Sequence, residues 1–151
     1  MPAPRWLTPV ELDAWRAFLR AHARVTRTLD AELAAECDLP LASYEVLLHL
    51  SEAPDRRLRM TELADRVLLS RSGLTRLVDR LEREGLIARQ SCPSDLRGTN
   101  AVLTDAGHER LRAAAPVHLR GVREHIVDLL SPSELKVLAE ALGRVAGECP
   151  G

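Results

Sequence analysis

Apolar positions recur at helical spacing over most of the chain and change to short alternating runs only once, near the middle. The first helical stretch is opened by Thr8, Pro9 and Glu11, which together write a capping box with proline in the first turn. It continues to about Glu36 and carries Trp15, Phe18, Leu19, His22, Leu29 and Leu33 near one face. A second helix follows Pro40, with Leu41, Tyr44, Leu47 and Leu48 apolar, and ends near Ser51. The run SEAPDRR (51–57) reads as a turn-rich connector. Thr61 is placed to cap a short helix over 62–67, bearing Leu63, Ala64 and Val67. Ser70 is placed to cap another, over 71–84, which Gly85 stops.

The period then shortens. LIARQ (86–90) and NAVLT (100–104) are strand-like runs around the turn chemistry of SCPSDLRGT (91–99), which predicts a hairpin. Thr104 opens a further helix with Leu111, Ala115, Leu119, Val122, Ile126 and Leu129 as its apolar positions. It is expected to reach Leu130, bending at Pro116 and Gly121. Ser131, Pro132 and Glu134 repeat the capping device for a last helix reaching about Val145.

Two short helices joined by about three residues, with small Ala64 permitting close approach, form a helix-turn-helix pattern. With the hairpin behind it, the predicted fold is mainly α with a small β-hairpin wing. A winged helix-turn-helix over 39–103 is flanked by helical dimerisation regions at 1–38 and 104–151, in one compact chain. The 151 residues are 46% hydrophobic but only 3% aromatic, which favours helices packed on aliphatic ridges. The outer helices carry more apolar surface than a winged helix could cover, so a homodimer is expected. No signal peptide or bilayer-spanning run is apparent, and three scattered cysteines (Cys37, Cys92, Cys149) suit a reducing compartment, so the protein is expected in the cytoplasm.

Charge sharpens this picture. The formal net charge of −1 is segregated: residues 1–55 sum to −4, residues 56–97 to +4 and the remainder to −1. On the helix at 71–84, Leu74, Leu77, Val78 and Leu81 share one stripe, and Ser72, Arg76, Asp79 and Arg83 lie opposite. Asp79 and Arg83 have the spacing of an ordinary surface pair, with Asp79 also able to orient Arg76 or accept from a cytosine amine. A solvated helix would look similar. The helix start differs, because Ser70, Ser72 and Thr75 are short hydrogen-bonding side chains suited to reading bases in a major groove. Arg71, Arg76 and Arg80 supply cations for phosphate or base edges, and Thr61 joins Ser70 as a phosphate contact. Arg89 lies at the base of the hairpin, and Arg97 near its tip suits a narrow minor groove. The expected partner is double-stranded operator DNA.

The run LRMTELADRVLLSRSGLTRLVDRLEREGLIAR, followed by DLRG and LTDAG, resembles the MarR (multiple-antibiotic-resistance regulator) family of bacterial transcription factors. The resemblance spans nearly the whole chain. It implies a homodimer on a pseudo-palindromic operator, usually a repressor released by a small aromatic or phenolic molecule. It also implies that Arg97 enters the minor groove while Asp95 holds the wing in place. The effector cleft it implies points to Trp15, Arg16, His22, Tyr44 and Asp65, and a similar subgroup answers to urate-like purine anions. Part of the family senses peroxide through cysteine, for which Cys92, beside Pro93 and near Arg89, is the candidate here. The competing class is a winged helix kept for protein contact, without operator binding.

No nucleophile elbow, phosphate loop or catalytic carboxylate pair is present, so no enzyme activity and no cofactor are expected. His22, His49, His108, His118 and His125 lack H-x-x-x-H spacing and no C-x-x-C accompanies them, so no metal site is expected.

Overall fold

The computed structural model describes residues 1–67, 69–92 and 95–148, with the side chains of 92 and 95–97 outside that description. Among the described residues six α-helices and three strands follow the order α1 (Pro9–Cys37), α2 (Leu41–Glu52), β1 (Arg57–Arg59), α3 (Met60–Val67), α4 (Arg71–Arg83), β2 (Ile87–Cys92), β3 (Asp95–Leu103), α5 (Asp105–His125) and α6 (Pro132–Ala146). The expected architecture, mainly helical with a small β wing, is what the chain adopts.

Both capping boxes form. Thr8 N donates to Glu11 Oε2 at 2.8 Å and Glu11 N to Thr8 Oγ1 at 3.3 Å. Ser131 and Glu134 exchange the same pair of bonds at 2.8 and 3.3 Å. Hydrogen bonding from Ser131 to the exposed Glu134 carboxyl, chiefly from the backbone N–H and then from the side chain, holds it below its usual range. Ser70 caps α4, accepting from Gly73 N at 3.1 Å.

Several elements differ from expectation. Residues 54–59 are not only a connector. A short 3-10 turn (Pro54–Arg56) leads into β1, whose central Leu58 is buried. The sheet therefore has three antiparallel strands in the order β1-β3-β2, with Leu58 opposite Ala101 and Arg89 opposite Ala101 from the other side. The hairpin strands are longer than predicted, running on to Cys92 and back from Asp95, because pairing continues through residues chosen for turn chemistry. Thr61 is not the cap of α3, since the helix already includes Met60. α5 stops at His125 instead of Leu130; Ile126 leaves helical geometry and Val127–Leu129 form a 3-10 turn that preserves the apolar spacing. Pro116 lies inside α5.

The chain divides into two compact units, one of residues 30–118 and the other of residues 1–29 with 119–151, so that the divisions fall inside α1 and α5. The core of the 30–118 unit is aliphatic: Leu33, Leu39, Val46, Leu47, Leu50, Leu63, Leu74, Val78, Leu81 and Ile87 are almost wholly buried. Long-range hydrogen bonds complete it. Asp30 Oδ1 accepts from Leu41 N at 2.8 Å, capping α2 from eleven residues away. Arg110 Nη2 donates to the carbonyls of Cys37 and Asp38 at 2.9 Å each, satisfying the end of α1.

The LTDAG run is explained by the place where α4, β2 and α5 meet. Thr104 Oγ1 donates to Gly85 O at 2.7 Å and accepts from Gly107 N at 3.0 Å, so one hydroxyl closes α4 and caps α5. A Cβ on Gly107 would lie 2.1 Å from Leu86 O. Only glycine fits.

In the other unit the apolar positions are largely uncovered. Trp15, Phe18, Leu19, Leu119, Leu129, Val137, Leu138, Leu142 and Val145 are all exposed, and α6 has no buried residue among those described. No described helix is long and apolar enough to cross a membrane.

Candidate nucleic-acid interface

α4 presents two different faces. Leu74, Leu77, Val78 and Leu81 enter the core. Arg71, Ser72, Thr75 and Arg76 are exposed on the first turns. Thr75 Oγ1 returns its proton to Arg71 O at 2.8 Å, which leaves the hydroxyl oxygen as an outward acceptor. Ser70 Oγ is used by the cap and lies 3.3 Å from Ser72 Oγ.

Beside this face runs a cleft of about 470 Å³. Arg59 lines it at the end of β1, Met60 and Thr61 at the start of α3, Thr75 on α4, and Arg89, Gly98 and Thr99 on the wing. A helix start, hydroxyls and guanidinium groups around one cleft match what a phosphodiester backbone requires. Thr61 is therefore at the cleft, although not as a cap. Arg59, Gly98 and Thr99 were not singled out from the sequence. For Arg59 the available signal was its place in the +4 segment.

Other residues on the same helix are committed to the protein. Arg80 Nη2 donates to Ser43 Oγ at 3.0 Å, and Ser43 is fully buried on α2. Asp79 pairs with Arg89 of β2, Nη1 to Oδ1 at 2.5 Å, and not with Arg83 or Arg76. Glu82 also takes part, accepting from Arg89 N at 3.0 Å. Asp95 and Arg97 belong to β3 and Cys92 to β2, and their side chains lie outside the described residues, as does Cys149 altogether.

The five residues expected at an effector cleft fall in both units. Trp15, Arg16 and His22 lie exposed on α1, with Phe18 ring-to-ring at 6.3 Å from Trp15 and 6.4 Å from His22. Asp65 is exposed on α3. Tyr44 is buried on α2, stacked on His118 of α5 with centroids 4.3 Å apart. Burial, assisted by Glu52, pushes the Tyr44 hydroxyl above its usual range, and burial lowers His118.

Residues 38–98 match the family model described as MarR family. The chain is 44% identical to Sco3205 of Streptomyces coelicolor, a MarR family transcriptional regulator solved in complex with DNA, with a TM-score of 0.89 over 95% of this chain and 90% of that one. AbsC, a MarR family transcriptional regulator from the same organism, is 40% identical with a TM-score of 0.87, covering 95% and 97%. The HTH-type transcriptional regulator MhqR of Bacillus subtilis is 32% identical over 104 residues, 69% of this chain and 68% of that protein.

Proposed function

The chain belongs to the MarR family of DNA-binding transcriptional regulators, which are not enzymes, and from that premise we propose that it acts as a homodimeric repressor of a pseudo-palindromic operator. The observation that carries the reading is the cleft between Thr61, Thr75 and Arg89, opening beside the exposed start of α4. Ser72 and Thr75 read base edges, Arg71 and Arg76 contact phosphate or base edges, and Thr61 holds a phosphate of the strand that follows the cleft. Ser70 shapes the helix entry. Arg97, on the wing strand β3, is assigned to the minor groove from the sequence, with Asp95 supporting the wing.

The dimer reading is supported by the uncovered apolar row of α6, Val137, Leu138, Leu142 and Val145, and by a largely apolar groove of about 430 Å³ lined by Leu130, Val137, Leu138 and Ala141 among others. A small aromatic, phenolic or purine anion is the proposed releasing effector. The exposed Trp15, Arg16 and His22 of α1 offer the ring and the cation such a molecule needs.

The test is binding to the DNA upstream of its own coding region across a salt series. Affinity should fall steeply with salt, as it does when several phosphates are neutralised, and Arg97→Ala should weaken it. Binding that is absent, or insensitive to salt, would favour a winged helix used for protein contact. Calorimetry with urate and salicylate then tests the effector. Peroxide-dependent release abolished by Cys92→Ser would assign the signal to oxidation instead.

A further inference from the structure

Asp79 sits on the half-exposed flank of the helix proposed to read DNA, where a carboxylate near phosphates costs affinity. Its geometry accounts for its presence. Thr75, Asp79 and Glu82 are spaced at i, i+4 and i+7 along α4, and all three reach one residue, Arg89 of β2. Arg89 Nη1 lies 2.5 Å from Asp79 Oδ1 and 3.8 Å from Glu82 Oε1. Arg89 Nη2 donates to Thr75 O at 3.4 Å, and its backbone N to Glu82 Oε2 at 3.0 Å. Two turns of the reading helix therefore grip a single arginine of the wing. That arginine is paired in register with Ala101 of the central strand β3, which runs back through Thr99 and Gly98 to the cleft wall.

We propose that Asp79 is a positioning residue: together with Glu82 it holds Arg89 and so fixes the separation of reading helix and wing to which the DNA must fit. The inference rests on the DNA-binding reading and adds a specific device to it. A planar guanidinium held by two carboxylates and a carbonyl has little freedom, whereas a lysine offers its donors from one nitrogen on a flexible stem and cannot reproduce the rigid fork that spans Asp79 and the Thr75 carbonyl. The wing then meets DNA at a set distance from the helix instead of sampling many.

The proposal has a sign that simple electrostatics does not share. Asp79→Asn removes a negative charge from beside the phosphates, and charge alone predicts tighter binding. Loss of positioning predicts weaker binding, by about tenfold for a broken charge-assisted hydrogen bond that orients the wing. The experiment measures operator affinity by fluorescence anisotropy on the footprinted upstream duplex and on the same duplex trimmed at its outer ends. Wild type, Asp79→Asn, Arg89→Lys and the double variant are compared, with thermal unfolding of each. Both single variants should bind the full duplex about tenfold more weakly, and the double variant no worse than either. Trimming should weaken wild type but not the variants, a difference that a general loss of fold would not produce. Asp79→Asn binding as tightly as wild type or tighter, additive losses in the double variant, or equal sensitivity to trimming would each overturn the assignment. Failure of the wild-type protein itself to bind the duplex would overturn the functional reading beneath it.

Discussion

Arg80 of α4 donates from Nη2 to Ser43 Oγ of α2 at 3.0 Å, joining the exposed flank of the helix proposed to read DNA to a fully buried hydroxyl. The bond makes Arg80 part of the support of α4, in contrast to Arg76 on the exposed face. Arg80→Ala leaves Ser43 Oγ without its partner and should cost about 1–3 kcal/mol in urea unfolding. Ser43→Ala should cost about 1 kcal/mol, because the freed guanidinium returns to water. The double variant should be less destabilised than the sum. In DNA binding, Arg76→Ala should lower the slope of log affinity against log salt by about one, and Arg80→Ala should leave it unchanged. A reduced slope for Arg80→Ala would return that residue to the phosphate contacts.

Gly107 makes a sharper prediction. Any side chain there meets Leu86 O at 2.1 Å from the Cβ, and the obstructing atom is backbone, which cannot rotate away. Gly107→Ala must push α5 off the end of α4, breaking the Thr104 bonds to Gly85 and Gly107. We expect a loss of about 3 kcal/mol, a fall in Tm of about 10 °C. An unchanged Tm would mean that this junction yields freely.

What the sequence disclosed follows the range over which each interaction acts. Capping at Ser70, Thr8 and Ser131 is decided within three residues, and all three were legible. The core stripe of α4 was legible for the same reason, since helical spacing alone places Leu74, Leu77, Val78 and Leu81 together. β1 was not, because three residues acquire strand geometry only by pairing with β3 more than forty positions later. Helix arithmetic gave Asp79 to Arg83, four residues on, but the stronger partner comes from β2, ten residues on and across a turn. Of the candidate interface, the exposed entry of α4 was readable. The cleft was not, since its walls come from α3, α4 and the wing and only folding brings them together.

The proposed homodimer should depend on the exposed apolar face of α6. Leu138 lines the groove with Val137 and Ala141. A charge there costs nothing in a monomer that leaves the face in water, but it must be desolvated in a dimer. Leu138→Glu should yield monomer by sedimentation equilibrium with helix content retained. Operator affinity should then fall about 100-fold or more, as two linked half-site contacts become one. A dimer of unchanged stability would move the interface elsewhere.

His118 carries a pH dependence with a definite sign. Its ring stacks on Tyr44, and its Nδ1 is buried without a hydrogen-bond partner. Burial lowers its pKa below the ordinary 6.5, because the folded protein resists a charge at this ring. The unfolded chain therefore takes up a proton first as the pH falls. Above about 6.5 both states hold a neutral imidazole and stability is fully present; below it, stability declines until the folded pKa is passed. Tyr44, raised by burial and Glu52, stays neutral throughout this window and adds no slope. His118→Phe keeps a ring against Tyr44 but cannot be protonated. Urea unfolding between pH 7.5 and 5 should show a shallower decline for this variant than for wild type. Parallel curves for the two proteins would mean that His118 is charged as readily in the folded state as in the unfolded one, and that its burial is relieved in solution.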